Sequence, residues 1–266
     1  MSRTIKKGDY WRNVVYKSKN LIIQKVKEGK DIALIIGNSH SVELNNDDII
    51  VWADPGMHEF RPKITDKDVT VYTFYFVKKI ARLDEAGKEL AEFMNSMKGE
   101  FKKIVLIGHS KSGICIESAC DYTKRKVDIC IAVSTPHAGT ISADGKLFAK
   151  KLKNPILGYI YLKAFSDHQV DRDVIPGSPI IENVHRPKVH RHINIVSTLD
   201  FKSACKNIID LGSLILDRIT EMNGDGIVSE ESQRVSWTDE EILIYCSHAR
   251  SLNESIKYVD KNILNQ

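Results

Sequence analysis

The sequence predicts an α/β protein, a mostly parallel sheet with helices on both faces. Three observations carry that expectation. Short apolar runs of strand length, almost unbroken by polar residues, recur along the chain, as strands buried on both faces require. Segments of helical periodicity alternate with these runs. The 266 residues, 42% hydrophobic and 28% charged, allow a sizeable core rather than a disordered chain; one large α/β domain reaches this size, and length alone leaves one domain or two open.

The first thirty residues are ambiguous and fit an extra strand with a helix over the sheet edge. Asp31 to Asn38, DIALIIGN, reads as a buried strand, and Val69 to Val77, VTVYTFYFV, as a β-branched and aromatic one. In ARLDEAGKELAEFMNSMK, Leu83, Ala86, Leu90, Phe93, Met94 and Met97 recur at three and four, which predicts an amphipathic helix. The strand KIVLIG, the helix SGICIESACDYTKR and the strands VDICIAVST, HINIVSTL and EILIYCS follow. A helix within ACKNIIDLGSLILDRITEM precedes the last strand, and LNESIKYVDKNIL closes the chain as another. One connection breaks the rhythm. Nearly sixty residues separate Ser134 from His192, far more than an ordinary link needs, so an insertion is expected over about residues 138–190. It contains the apolar NPILGYIYLKAF, which can pack as a subdomain or cover a site as a cap.

Composition excludes several classes. A net charge of +4 is too small to argue for nucleic acid, and the lysine-rich stretches read as solvated surface, with weak attraction to anionic lipid or substrate as the lesser reading. The N-terminal residues carry charge without an apolar h-region, and no run approaches the ~18 apolar residues of a membrane span. Five cysteines, mostly inside apolar runs, fit reduced thiols and a cytoplasmic location. No cysteine spacing matches a zinc pattern, and His185, His190 and His192 lack carboxylate or cysteine partners nearby. Neither a metal nor a cofactor is expected.

The chemistry concentrates at KKIVLIGHSKSG. An apolar strand stops at Gly108, and Ser110 stands between strand and helix with Ser112 and Gly113 beside it. Ligands of parallel sheets bind beyond the carboxyl ends of the strands. A serine on a tight turn there projects outward, next to the free N–H groups of the following helix. This is the logic of the nucleophile turn G-x-S-x-G, with serine in place of the final glycine. A plain turn is the competing reading. A P-loop is excluded by spacing. A serine nucleophile needs a base and a group to orient it. Asp225 in NGDGIVSEES and His248 in YCSHARSL stand downstream, in the order Ser, Asp, His. Asp200, directly after NIVSTL, is the rival acid.

With those residues in place, the chain resembles the lipase-like branch of the α/β-hydrolase superfamily. VLIGHSKSG, VSTPHAGT, VIPGSPIIENV and GDGIVSEES carry the resemblance, in order, and with His248 they span over half the chain. It implies a single α/β-hydrolase domain over 1–266 with a cap inserted at about 138–190, and a serine carboxylic ester hydrolase forming an acyl-enzyme. Ser110 would be the nucleophile, His248 the proton shuttle and Asp225 its orienter. The backbone N–H of Lys111 would meet the oxyanion, with a second from a loop after ALIIGN, at Asn38 or Ser39. Many lipases carry His-Gly there, where this chain has Ile36-Gly37. His109 is expected under the turn, His137 in a structural role nearby, His40 near the mouth, and Trp52 in the core or at an acyl pocket. The Lys111 side chain is expected in solvent or beside the cleft. The expected partner is a small or lipid-like acyl ester. A thioesterase or acyltransferase would use the same groups, and a non-catalytic hydrolase-fold binder is the alternative of another class.

Overall fold

The computed structural model describes residues 3–4, 13–45, 48–51, 63–66, 68–77, 81–144, 148, 150–152 and 169–264. Among them, ten strands form one sheet: β1 (Arg3–Thr4), β2 (Val14–Lys17), β3 (Leu21–Lys27), β4 (Ile32–Asn45), β5 (Asp48–Val51), β6 (Val69–Val77), β7 (Lys103–His109), β8 (Ile129–Val133), β9 (Arg191–Thr198) and β10 (Glu240–Tyr245). The main path runs β10-β9-β8-β7-β4-β6-β3-β2, with β5 on β4 and β1 on β5. From β10 to β6 every pairing is parallel, and β3 and β2 extend the sheet antiparallel.

Parallel strands need crossovers, and helices supply them. These are α1 (Leu83–Ser96), α2 (Lys111–Tyr122), α3 (Gln169–Arg172), α4 (Pro179–Glu182), α5 (Phe201–Ala204), α6 (Ile208–Thr220), α7 (Glu230–Gln233) and α8 (His248–Val259). One face of the sheet buries Ile35, Tyr72 and Leu106 against α1 and α2 through Leu90, Met94, Ile116 and Ala119. The other buries Leu34, Val105, Ile131 and Ile193 against α8 through Leu252, Ile256 and Val259. The alternation of Leu34 with Ile35 across the pleat is the period of two that lets a central strand be apolar throughout.

Three expectations are corrected. Among the described residues, 13–30 hold two antiparallel strands and no helix: β3 pairs antiparallel along the edge of β6, burying Leu21, Ile22 and Ile23, and β2 pairs with β3. The loop expected after Asn38 is absent: β4 runs on to Asn45 and pairs with β5 as a hairpin. Its register against β6 shifts between Gly37 and Ser41, so Asn38 lies in a bulge of a long strand. The helix expected within 204–222 is confined to α6 (Ile208–Thr220), with the short α5 (Phe201–Ala204) before it, because the Asn207 side chain accepts from Ile209 N and starts a new helix.

In the insertion, NPILGYIYLKAF lies outside the described residues, as does Trp52. Farther on, Val174 and Ile181 join the same apolar cluster as α1 and α2, and Asp173 accepts a 2.9 Å hydrogen bond from Leu83 N at the start of α1. This part of the insertion packs against the main body.

Small residues let α2 start close to the sheet. A Cβ built on Gly108 would lie 2.4 Å from the Ser112 carbonyl oxygen, and one on Gly113 would lie 1.9 Å from Thr135 Oγ1. Gly113→Ala is expected to lower stability by roughly 1–3 kcal/mol, the usual cost of overpacking, read as a lower urea midpoint at unchanged slope.

Candidate active site

Ser110 sits at the carboxyl end of β7 with φ 56° and ψ −131°, a strained backbone for a residue with a Cβ. Two hydrogen bonds hold it: Ser110 N donates to Val133 O at 2.8 Å, and Gly113 N donates to Ser110 O at 2.9 Å. Ser110 is the N-cap residue of α2, yet its side chain makes no capping bond. Its hydroxyl is therefore not consumed by the helix. Ser112, standing where G-x-S-x-G has glycine, is fully buried, and its Oγ has no hydrogen-bond partner among the described residues.

Asp225 and His248 come together. His248 Nδ1 donates to Asp225 Oδ2 at 2.7 Å, and His248 N donates to Asp225 O at 3.0 Å. The carboxylate is fully buried and surrounded by donors. Oδ1 accepts from Ile227 N at 3.0 Å and Val228 N at 2.8 Å, and Oδ2 also accepts from Ser197 Oγ at 2.7 Å. The turn depends on Gly226, whose φ of +93° is open to glycine and costly for other residues. With Nδ1 bearing the hydrogen, Nε2 of a neutral His248 ring is left as the basic nitrogen. Asp200 plays another part: its side chain accepts from Ser203 N and caps α5.

The His248 ring lies beside the turn that carries Ser110. Its centroid is 4.6 Å from that of His109, which is buried under the turn. His109 Nε2 donates to the His248 carbonyl at 3.0 Å, so Nδ1 of a neutral ring accepts from Ser39 Oγ at 3.3 Å. Among the described residues the Ser110 hydroxyl makes no hydrogen bond to the imidazole. Such contacts often tighten only when substrate is bound.

Lys111 is a correction to the expectation of solvent. It is buried, and its ammonium pairs with Asp171 of the insertion at 2.6 Å and lies 5.8 Å from the Phe76 ring centroid. Its backbone N–H is at the first position of α2, where helix geometry provides no intrahelical acceptor.

Sequence reasoning missed a supporting layer. Ser134 and Ser197 hydroxyls lie 2.5 Å apart, and Ser197 passes its own hydrogen to Asp225. Gln233 Oε1 accepts from Ser197 N at 2.8 Å, and its Nε2 donates to Ser197 O at 2.9 Å. For Ser197 the available signal was a polar residue inside the apolar run of β9; Gln233, in the polar stretch EESQ, carried none. A second layer involves His137, whose Nε2 and Nδ1 face Glu117 Oε1 and Gln233 O, each at 2.9 Å. His192 Nε2 donates to the same Glu117 oxygen at 3.0 Å, so His192 belongs here rather than to a surface cluster with His185 and His190. Burial disfavours the charged Glu117, but His137 and His192 overcome this and bring its carboxyl down to about 2. A folded value below the unfolded one stabilises above the unfolded pKa and is lost as pH falls through the folded one. Stability is therefore expected to decline from about pH 4.5 toward about pH 2, and Glu117→Gln is expected to flatten that part of the acid limb in urea titrations.

These features define the α/β-hydrolase fold: a serine turn after a central parallel strand, with an acid turn and a histidine after later ones. Solved structures agree. A lipase from Bacillus licheniformis in its propeptide form aligns at TM-score 0.54 and 15% identity over 92% of this chain, which spans half of that lipase's length. A Pyrococcus furiosus esterase aligns at 0.52 and 11% over 100% of this chain and 90% of its own. A type II thioesterase of the yersiniabactin pathway aligns at 0.51 and 9%, over 91% and 96%. At these identities the likeness establishes the fold alone. No family model and no curated protein matches the sequence. Among the described residues no group of side chains forms a metal site, and no helix is long and apolar enough to cross a membrane.

Proposed function

We propose that this chain is a serine hydrolase acting on carboxylic esters. The observation that carries the reading is the 2.7 Å His248–Asp225 hydrogen bond beside a strained serine whose hydroxyl is not used in helix capping. Ser110 Oγ attacks the acyl carbon as His248 Nε2 takes its proton. The ester carbonyl becomes an oxyanion, which accepts a hydrogen bond from the Lys111 N–H at the positive end of α2. The second donor is assigned to the backbone of Asn38 or Ser39, in the bulge of β4. Collapse of the tetrahedral species expels the alcohol, which receives the proton from His248. Water then repeats the sequence on the acyl-enzyme, and Asp225 holds the imidazolium throughout.

The insertion over about 138–190 is read as a cap on a single α/β-hydrolase domain spanning 1–266. The Lys111–Asp171 pair ties it to the nucleophile turn. Its apolar NPILGYIYLKAF favours a substrate with an acyl chain. Labelling with a fluorophosphonate probe tests the assignment. An adduct on Ser110, with loss of p-nitrophenyl ester turnover, is expected. A folded, probe-inert protein would mean a hydrolase-fold binder. Turnover with an added thiol or alcohol as acceptor, compared with water, separates hydrolysis from acyl transfer.

A further inference from the structure

We propose that the outer face of α5 and α6 docks on an anionic lipid surface. Ten large hydrophobic residues are exposed among the described residues, and five of them, Phe201, Ile208, Ile209, Ile215 and Ile219, fall between 201 and 219. Ile208, Ile215 and Ile219 are spaced seven and four apart, so they share one stripe of the helix. Ile208 is 81% exposed and Phe201 73%. Isolated surface hydrophobics need no explanation, but a row of this kind on one helix marks an interaction surface.

The charges on the same segment are sorted by sign. Its two acids face inward. Asp210 is buried and accepts from Ser247 N at 3.0 Å and Ser247 Oγ at 2.5 Å, and it pairs with Arg250. Asp217 is buried and accepts from Gly224 N at 2.8 Å. The three bases, Lys202, Lys206 and Arg218, are exposed, and the next exposed acid, Glu221, lies beyond the helix end. Along α5 and α6 the surface thus offers branched apolar side chains with three cations, and its single exposed acid, Glu221, stands at the far end, the pattern of a helix lying in the plane of an anionic membrane interface. A cavity of about 410 Å³ opens beside it, bordered by Lys206, Asn207, Tyr245 and Arg250 and by Asp210 and Glu254, whose carboxylates both pair with Arg250. Tyr245, half exposed, is an aromatic suited to headgroup depth. A second copy of the chain fits less well. A two-fold contact brings the same patch onto itself, so three cations would face three cations.

The buried side of α6 gives docking a consequence. Asp217 holds the turn preceding Asp225, and Asp210 holds Ser247, next to His248. The docking face therefore lies on the helix that supports the Asp225–His248 pair. The proposal stands without the esterase reading, since it concerns binding.

The experiment uses the full chain and vesicles of phosphatidylcholine, with or without about a third phosphatidylglycerol. Cys205 is exposed while the other four cysteines are buried, so it can carry an environment-sensitive dye. The expected result is sedimentation with the anionic vesicles, weak binding to neutral ones, and a blue shift of the dye. Ile215→Asn with Ile219→Asn, and separately Lys202→Ala with Lys206→Ala, should each weaken binding on the order of tenfold. Added salt should weaken the wild type more than the lysine variant. Turnover of a dissolved ester should be unchanged in both variants, which distinguishes this proposal from the assignment of Ser110. Equal binding to both vesicle types, or variants that bind as the wild type does, would overturn it. So would a concentration-dependent dimer, seen by sedimentation velocity, that the isoleucine variant abolishes.

Discussion

Ser110→Ala is expected to reduce turnover of a p-nitrophenyl ester by on the order of 10⁴-fold or more while the protein stays folded. Any residual rate would come from binding and the N–H groups around the oxyanion. Stability should change little, because the Ser110 side chain makes no capping bond and alanine inherits the same backbone strain. Circular dichroism and a urea titration check the fold, and a burst assay checks the chemistry. Variant activity equal to wild type in a folded protein would remove Ser110 as nucleophile.

Asp225→Asn is expected to cost about 10⁴-fold in kcat, by analogy with the loss measured for the orienting carboxylate of triad proteases. The physical cause is donor–acceptor matching. Asp225 accepts from His248 Nδ1, Ser197 Oγ and two backbone N–H groups. An amide presents an NH₂ where one carboxylate oxygen was, and satisfies fewer of those donors. The imidazole can then turn or change tautomer, which places hydrogen rather than a lone pair toward Ser110. Asp200→Asn is the control. It touches a helix cap, so it should cost a few tenths to about 1 kcal/mol of stability and leave kcat within a few-fold. Loss of activity in Asp200→Asn, with Asp225→Asn active, would reverse the assignment of the acid.

The parallel strands were legible because burial on both faces leaves a plain trace: Ile32 to Ile36, Val69 to Val77 and Ile104 to Ile107 are apolar on every pleat or nearly so. The turn at Ser110 was legible because close approach of helix to strand demands the small residues at 108, 112 and 113. The hairpin of β4 with β5 was not, since SVELN and DIIV lack the unbroken apolar character of the core and half-polar pairs of strands resemble loops. Ser197, Gln233 and Glu117 were not legible either. Ser197 and Glu117 are polar among mostly apolar neighbours, Gln233 stands in the polar stretch EESQR, and the meaning of each lies in partners 28, 75 and 36 positions away.

By itself, the sequence determined the α/β alternation, the position of the serine turn after its strand, and the order in which serine, acid and histidine occur, because these follow from local periodicity and steric demand. Only the tertiary structure decided that His248 meets Asp225 while Asp200 caps a helix, that Lys111 is buried against Asp171, and that α6 turns Asp210 and Asp217 inward and Ile208, Ile215, Ile219 and Arg218 outward. Those outcomes depend on which distant groups share a buried space, where an unpaired charge or donor is costly and every carboxylate must find its partners.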